Sequence, residues 1–163
     1  MTAIPDLLEG LKRSHSILSE FVHSIPDDRL FKKRGDEFWS VAEHLDHLAD
    51  VQPMLGDRIR RFLEEDRPEF IPFFPDEDEA PPQKIQIDVA SVLAEFEKGR
   101  KYQLDLIHRA TPGDWEKTAI HPEYEEYSLM ILVRHILMHD HWHMYRMEEL
   151  WLTRDEYLTN LEG

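Results

Sequence analysis

The sequence predicts an all-α protein, a four-helix bundle with a long proline-rich, acidic crossover loop between helices 2 and 3. Apolar residues recur at intervals of three and four along most of the 163 residues, which is the period of an amphipathic helix. No segment shows the alternation typical of a strand, and the sequence has no glycine-rich phosphate loop. The length is that of one domain, so we expect residues 1–163 to form a single domain.

The first helix is predicted between Ile4 and Ile25. Its apolar stripe consists of Leu7, Leu8, Leu11, Leu18, Phe21, Val22 and Ile25. Pro5 suits a first helical turn, where an N–H group has no intrahelical partner, and Pro26 ends the segment.

A second helix is predicted from Ser40 to about Glu64. Ser40 and Glu43 have the spacing of a capping box, in which each side chain accepts a hydrogen bond from the backbone of the other. Pro53 lies inside this helix and removes one backbone hydrogen bond, so we expect a kink there.

The long loop is predicted over residues 66–87. This segment contains five prolines and the acidic run 76–79. Connections longer than about 12–15 residues are uncommon in compact domains. We interpret this one as a crossover that runs along the bundle from one end to the other, as some four-helix topologies require.

Two further helices complete the prediction. The third begins near Asp88 and is broken by the Thr-Pro-Gly-Asp segment at residues 111–114. The fourth runs from about Ser128 to about Thr153. We expect it to face the core with residues that include Leu132, Ile136 and Leu150.

Composition excludes several classes of partner and site. The chain has 19 Lys and Arg against 34 Asp and Glu, a net charge of −15, so we expect neither nucleic acid nor an anionic membrane as a partner. The absence of cysteine excludes disulfides, a thiol nucleophile and a cysteine-type zinc site. No secretory signal pattern and no apolar run long enough to span a bilayer is present, so we expect a cytoplasmic location.

Histidines distinguish this sequence. His135, His139 and His143 recur at intervals of four in the fourth helix and therefore share one face. The second helix adds His44 and His47. Two imidazoles four residues apart on a helix can bind one metal ion. Three neutral imidazoles with an open position are typical of a catalytic site for zinc, nickel or a similar divalent ion.

Helical spacing alone leaves the ligand set open. His139 pairs equally well with His135 and with His143. Glu43, one turn before His47, is either a ligand or orients that imidazole through a hydrogen bond. Histidines that are hydrogen-bonded in a metal-free core would show the same periodicity. Buried imidazoles without partners are unfavourable, and this favours a shared metal ion. Antiparallel and parallel pairings of the two helices both bring the histidines to similar depths.

Two segments resemble motifs of the DinB-like superfamily of metal-binding four-helix bundles. Residues 38–48 read FWSVAEHLDHL, similar to the family pattern W-S-x-x-E-x-x-x-H-L. Residues 139–146 read HDHWHMYR, similar to H-[DE]-x-x-H-x-x-Q. The resemblance covers nearly the whole chain, and it implies that the metal ligands are His47, His139 and His143.

The resemblance also implies an activity on a small-molecule substrate. Members of this family resemble metal-dependent hydrolases, or transferases in which the metal activates a low-molecular-weight thiol cosubstrate. Glu43 is then the candidate base, and the candidates for supporting the ligands are His135, His44 and Arg146. Because Arg146 stands where the family pattern has Gln, no role of that Gln is carried over. The alternative is a non-catalytic, stress-related binding bundle with structural metal or histidines, which could form a homodimer through exposed aromatic faces.

The neighbours of the candidate ligands have structural interpretations. Core or interface packing, rather than substrate contact, is expected for the aromatic residues Phe38, Trp39, Trp142, Tyr145 and Trp151. We expect His44 to face solvent or a neighbouring helix and Asp140 to face solvent. His141 should point away from the histidines two residues before and after it.

Overall fold

The computed structural model describes residues 3–71 and 87–161, and helices dominate them. In chain order these are α1 (Ala3–Ser24), α2 (Asp27–Leu30), α3 (Val41–Asp50), α4 (Gln52–Glu64), α5 (Val89–Ile107), α6 (Pro112–Glu116) and α7 (Leu129–Leu152), followed by a 3-10 turn at Asp155–Asn160. The described residues contain three isolated β-bridges and no strand. The all-α prediction is confirmed. No helix in these two ranges has the length and apolarity needed to cross a bilayer.

The helices α3, α5 and α7 begin at residues whose side chains cap them, and the capping box predicted at Ser40 and Glu43 is confirmed. The hydroxyl of Ser40 accepts a hydrogen bond from the backbone N–H of Glu43, whose carboxylate accepts one from the Ser40 backbone N–H. Asp88 and Ser128 accept hydrogen bonds from N–H groups in the first turns of α5 and α7. These side chains satisfy donors that the start of a helix leaves without intrahelical partners.

The second predicted helix is interrupted where a kink was expected. α3 ends at Asp50 and α4 begins at Gln52, with Val51 between them. Pro53 lies in the first turn of α4, where its missing N–H removes the hydrogen bond that would continue α3. The interruption lies one turn after His47.

The bundle has α1 parallel to α7, with α3–α4 and α5 running in the opposite direction. Both α1 and α3–α4 pack against α5 and α7, which places α1 and α3–α4 at opposite corners. The start of α1, the ends of α4 and α5 and the start of α7 share one apolar cluster, and their other ends share a second. The candidate ligand helices α3 and α7 are therefore antiparallel.

The connection from α4 to α5 starts and ends at opposite ends of the bundle. Phe70 belongs to the apolar cluster at the end of α4, whereas α5 begins at the end where α3 begins. Most of the predicted loop, namely residues 72–86 with four of its prolines and the acidic run, lies outside the described residues.

The segment that ends α5 also starts a short helix that the periodicity did not predict. Thr111 and Asp114 form a second capping box, and Pro112 occupies the first turn of α6. Trp115 is buried in the apolar cluster at that end of the bundle. A helix of five residues is too short to show a repeating apolar stripe.

A buried polar layer separates the two apolar clusters. Its members interrupt the apolar stripes of the long helices and are Ser14, Gln52, Arg100, Gln103 and Asp140. Arg100 donates to both carboxylate oxygens of Asp140, at 2.9 and 2.7 Å, and the Ser14 hydroxyl donates to the same carboxylate at 2.9 Å. The prediction that Asp140 faces solvent is wrong. It is 1% exposed because this face of α7 points into the bundle.

Replacing Gly99 by alanine is expected to lower the free energy of unfolding by about 1–3 kcal/mol. A Cβ atom at Gly99 would lie 2.4 Å from Cβ of Gln52, where α4 and α5 approach closely. That Cβ cannot move unless a helix moves. Gly113→Ala is the matched control, because its nearest neighbour would be the Thr111 hydroxyl at 3.7 Å. Urea unfolding of both variants measures the difference, and equal stabilities would contradict the expectation.

Candidate metal centre

Three histidines from two antiparallel helices meet beside the polar layer. His47 belongs to α3, and His139 and His143 belong to α7. The Nε2 atom of His139 lies 3.3 Å from Nε2 of His47 and 3.1 Å from Nε2 of His143. The three ligand nitrogens all lie within 4.8 Å of one another. The structure thus brings together the three residues that the family resemblance implies as ligands.

These nitrogens fit a shared cation better than they fit hydrogen bonds to one another. An imidazole nitrogen carries either one hydrogen or one lone pair, so Nε2 of His139 cannot pair fully with both neighbours. Two nitrogens bound to zinc at 2.0–2.1 Å in tetrahedral geometry lie about 3.3 Å apart. The observed separations of 3.1 and 3.3 Å are close to this value. The residues present therefore fit a divalent ion.

Burial keeps the three imidazoles neutral at neutral pH. It lowers the pKa of His139 to about 4 and that of His143 to about 2, and repulsion from neighbouring positive groups adds to both shifts. Burial also lowers the pKa of His47. The neutral imidazole is the form that binds metal, so the lone pairs are available without prior loss of a proton.

His44 supports the centre from α3, and it does not face solvent. It is 7% exposed, and its Nδ1 lies 2.9 Å from Nδ1 of His143. If Nε2 of His143 binds an ion, its Nδ1 carries the hydrogen, and the contact with Nδ1 of His44 would then fix the ring of His143. The sequence did contain a signal for this position, because His44 shares the buried stripe of Val41, Leu45 and Leu48.

Glu43 is held at the start of α3. One carboxylate oxygen accepts from the backbone N–H of Ser40 at 2.7 Å, and the other accepts from Nζ of Lys33 at 2.6 Å. Burial acts to raise the pKa of Glu43, but the hydrogen bonds from Lys33 and Ser40 outweigh it and the pKa is lowered. A general base needs a pKa near the working pH. These contacts make Glu43 the capping partner of Ser40, and its role as a base or in orienting His47 stays a prediction.

Two cavities reach the three histidines from different sides. The first, called the Trp39 cavity, has a volume of about 380 Å³ and contacts His47 and His143. Its other lining residues include Arg34, Phe38, Trp39, His44, Trp142 and Arg146. The second, called the Tyr124 cavity, has a volume of about 390 Å³ and contacts His47 and His139. Its other lining residues include Arg58, His121, Tyr124, Tyr127 and His135. Both volumes are typical of small-ligand sites.

Two tryptophans lie at the centre as walls of a cavity. The ring of Trp39 is 4.9 Å from that of His47, and it stacks on His143 with centroids 5.9 Å apart. Trp142 is about half exposed and meets His143 edge-on at 4.7 Å. The interpretation as core or interface residues is therefore incomplete, since both side chains are placed to contact a ligand.

The remaining candidates lie beside the three histidines. His135 packs in the Tyr124 cavity, with its ring 5.6 Å from Tyr124, so it faces another pocket than His143 does. Arg146 lines the Trp39 cavity and pairs with Glu149 at 2.6 Å. The pKa of His44 is lowered to about 4. Burial is the largest cause of this shift, and the positive charge of Arg146 is the second largest. His141 is exposed, as expected.

Without metal, the protein is expected to lose stability as the pH falls from about 7 to about 5. The ordinary histidine pKa of 6.5 is lowered to about 4 for His44 in the folded protein, so the unfolded state binds more protons in this range. Protonation therefore favours unfolding, by about 1.4 kcal/mol for each tenfold difference in proton affinity between the two states. Urea unfolding in a chelator at several pH values measures the slope. His44→Gln should reduce it and His141→Gln should not, whereas a flat profile would contradict neutral buried imidazoles.

Comparison with known proteins places the chain in a family. Residues 11–154 match the DinB superfamily. A protein of Oceanobacillus iheyensis, named provisionally as a metal-dependent hydrolase, is 24% identical over 144 residues, which is 86% of this chain and 83% of that protein.

Two solved structures share the fold. YfiT from Bacillus subtilis, described as a probable metal-dependent hydrolase with an unusual four-helix bundle topology, matches with a TM-score of 0.77 and 21% identity over 90% of this chain and 84% of that one. TT2238, described as a four-helix bundle protein, matches with a TM-score of 0.66 and 17% identity over 88% and 97%. The predicted four-helix bundle is confirmed. Since the family match also spans both histidine motifs, the chain belongs to the DinB superfamily.

Proposed function

We propose that the protein is a metal-dependent hydrolase whose divalent ion is held by His47, His139 and His143. The observation that carries the proposal is the convergence of three neutral imidazole nitrogens beside two cavities. The descriptions of the Oceanobacillus and Bacillus proteins support the same class of reaction. Zinc or nickel is the proposed ion, because imidazole ligands suit both.

A divalent ion held by His47, His139 and His143 would supply a Lewis acid, which for zinc would lower the pKa of water to about 7. The chain's own residues prepare the centre for this chemistry. His44 would fix the ring of His143 through the Nδ1 contact, and the ring of Trp39 packs against both His47 and His143. The apolar walls of the Trp39 cavity bind the body of a substrate beside the ligands.

A second candidate is a transferase that uses a low-molecular-weight thiol as cosubstrate. The observation that favours it is the presence of two separate cavities, since His47 lines both and each has room for a small molecule. In this reaction one cavity would bind the thiol and the other the electrophile. The transferase would use both cavities, one for each substrate. The hydrolase would need only one cavity.

Activity after metal removal and reloading tests these proposals. The chelated protein is expected to be inactive towards a panel of esters and amides, and zinc or nickel should restore hydrolysis. His143→Ala should remain inactive after reloading, whereas the exposed-site control His141→Ala should recover. Activity that appears only when a thiol and an electrophile are both added would favour the transferase. A metal-loaded protein that is inert in both assays would favour the non-catalytic binding bundle.

A further inference from the structure

We infer that Arg34 in the Trp39 cavity binds a carboxylate, so that the ligand of this cavity is a small organic acid with an apolar or aromatic body. The inference names the substrate class of the proposed enzyme, and in that respect it rests on the proposed function. The binding itself does not require the metal, because Arg34 belongs to the segment before α3 and is not a candidate ligand.

Arg34 is a buried cation whose charge has no acidic partner in the described parts of the chain. It is 8% exposed, its guanidinium carbon lies 3.7 Å from the ring centre of Phe38, and Nη1 donates to the carbonyl of Leu161. None of the ion pairs between described residues includes it. A guanidinium has five N–H donors, and a buried charge without a counter-ion is unfavourable. An anionic ligand would supply both the charge and the acceptors.

Among the described residues that line this cavity, Arg34 is the buried positive charge that no ion pair balances. Arg146 is neutralised by Glu149 at 2.6 Å. Glu37 also lines the cavity but is exposed to solvent. Because the whole chain carries a charge of −15, attraction of an anion to this place has to come from a local group.

The remaining walls define the body of the ligand. Phe38, Trp39, Trp142 and Leu150 present aromatic and aliphatic surface to a cavity of about 380 Å³. Such walls bind an apolar or planar group, while a single charged group fixes its orientation. His47 and His143 line the same cavity, so a ligand anchored at Arg34 lies beside the candidate metal centre.

The Tyr124 cavity offers the matched comparison. It also contains an arginine, Arg58, and no ion pair between described residues includes that side chain. Arg58, however, donates to the carbonyl of Ile71 at 2.9 Å, is hydrogen-bonded to Tyr127, and is less buried than Arg34. Its charge is therefore better hydrated, and we expect it to bind a carboxylate less strongly.

Binding of 3-phenylpropionate to the chelator-treated protein tests the inference, with the uncharged analogue 3-phenylpropanol as reference. Tryptophan fluorescence is a suitable signal because Trp39 and Trp142 line the cavity. The acid is expected to bind about tenfold or more tightly than the alcohol, as for hydrogen bonds to a charged group. Arg34→Gln should remove this preference, Arg34→Lys should keep part of it, and Arg58→Gln should leave it unchanged.

Two outcomes would overturn the inference. One is equal binding of acid and alcohol by the wild-type protein. The other is a preference that survives Arg34→Gln or is lost in Arg58→Gln, which would locate the anion site in the Tyr124 cavity. Far-ultraviolet circular dichroism verifies that the variants are folded, and Arg34→Lys provides a second readout at the same position. Because the metal has been removed, failure of the hydrolase proposal would not change these results.

Discussion

Replacing Asp140 by alanine is expected to lower the free energy of unfolding by about 3–5 kcal/mol, the usual effect of breaking a buried ion pair. Arg100 and Asp140 are 2% and 1% exposed, and the carboxylate accepts two hydrogen bonds from the guanidinium. Within the described residues, Nε and Nη1 of Arg100 already lack hydrogen-bond partners. Loss of the carboxylate would leave a buried positive charge in the middle of the bundle. Urea unfolding measures the change.

Two further variants separate the ion pair from its surroundings. Asp155 forms surface ion pairs with Arg29 and Lys32 and is well exposed, so Asp155→Ala should lower the stability far less than Asp140→Ala does. The double variant Arg100→Met, Asp140→Leu removes both charges and should recover most of the stability lost in Asp140→Ala. A single variant Asp140→Ala as stable as Asp155→Ala would contradict the assignment of this pair as a buried, mutually dependent unit.

Replacing His143 by alanine is expected to weaken zinc binding by more than about 100-fold, beyond the range found when a supporting residue is lost. His44→Ala removes the partner of His143 but no proposed ligand, so it should weaken binding by about 10–100-fold. His135→Ala, on the same face of α7 but in the Tyr124 cavity, should bind zinc as the wild type does. Competition with a chromophoric chelator measures all three affinities.

The order of the three zinc affinities tests which histidines are ligands and whether His44 supports His143. A loss in His135→Ala as large as that in His143→Ala would mean that the ligand pair on α7 is His135 and His139. Equal affinities for His44→Ala and the wild type would mean that the Nδ1 contact does not orient His143. Either result would redefine the centre without changing the fold.

Local sequence patterns predicted most of the helical structure. Caps and breakers act within a few residues, so Ser40, Asp88, Ser128 and Pro53 mark helix boundaries close to the observed ones. The direction and neighbours of each helix depend on contacts between distant segments. For that reason the sequence contains no signal for the parallel pairing of α1 with α7, and it is compatible with either direction of α3 relative to α7.

The candidate centre was predicted in part. Periodicity grouped the histidines, and the family resemblance selected His47, His139 and His143, which the structure brings together. Solvent exposure was expected for Asp140 because it directly follows the predicted ligand His139. Its position four residues after Ile136 and four before Met144 was nevertheless that of the buried stripe. The partner that allows this burial, Arg100, is 40 residues away in the chain, and a local pattern contains no information about it.

The most direct test of the central claim is the metal content of the purified, untagged protein, measured by inductively coupled plasma mass spectrometry. Three converging imidazole nitrogens predict about one equivalent of zinc or nickel per chain. In parallel preparations the metal should be lost in His47→Ala, His139→Ala and His143→Ala, and it should be retained in His141→Ala. A wild-type protein that contains no metal and takes none up when zinc or nickel is added would contradict the account.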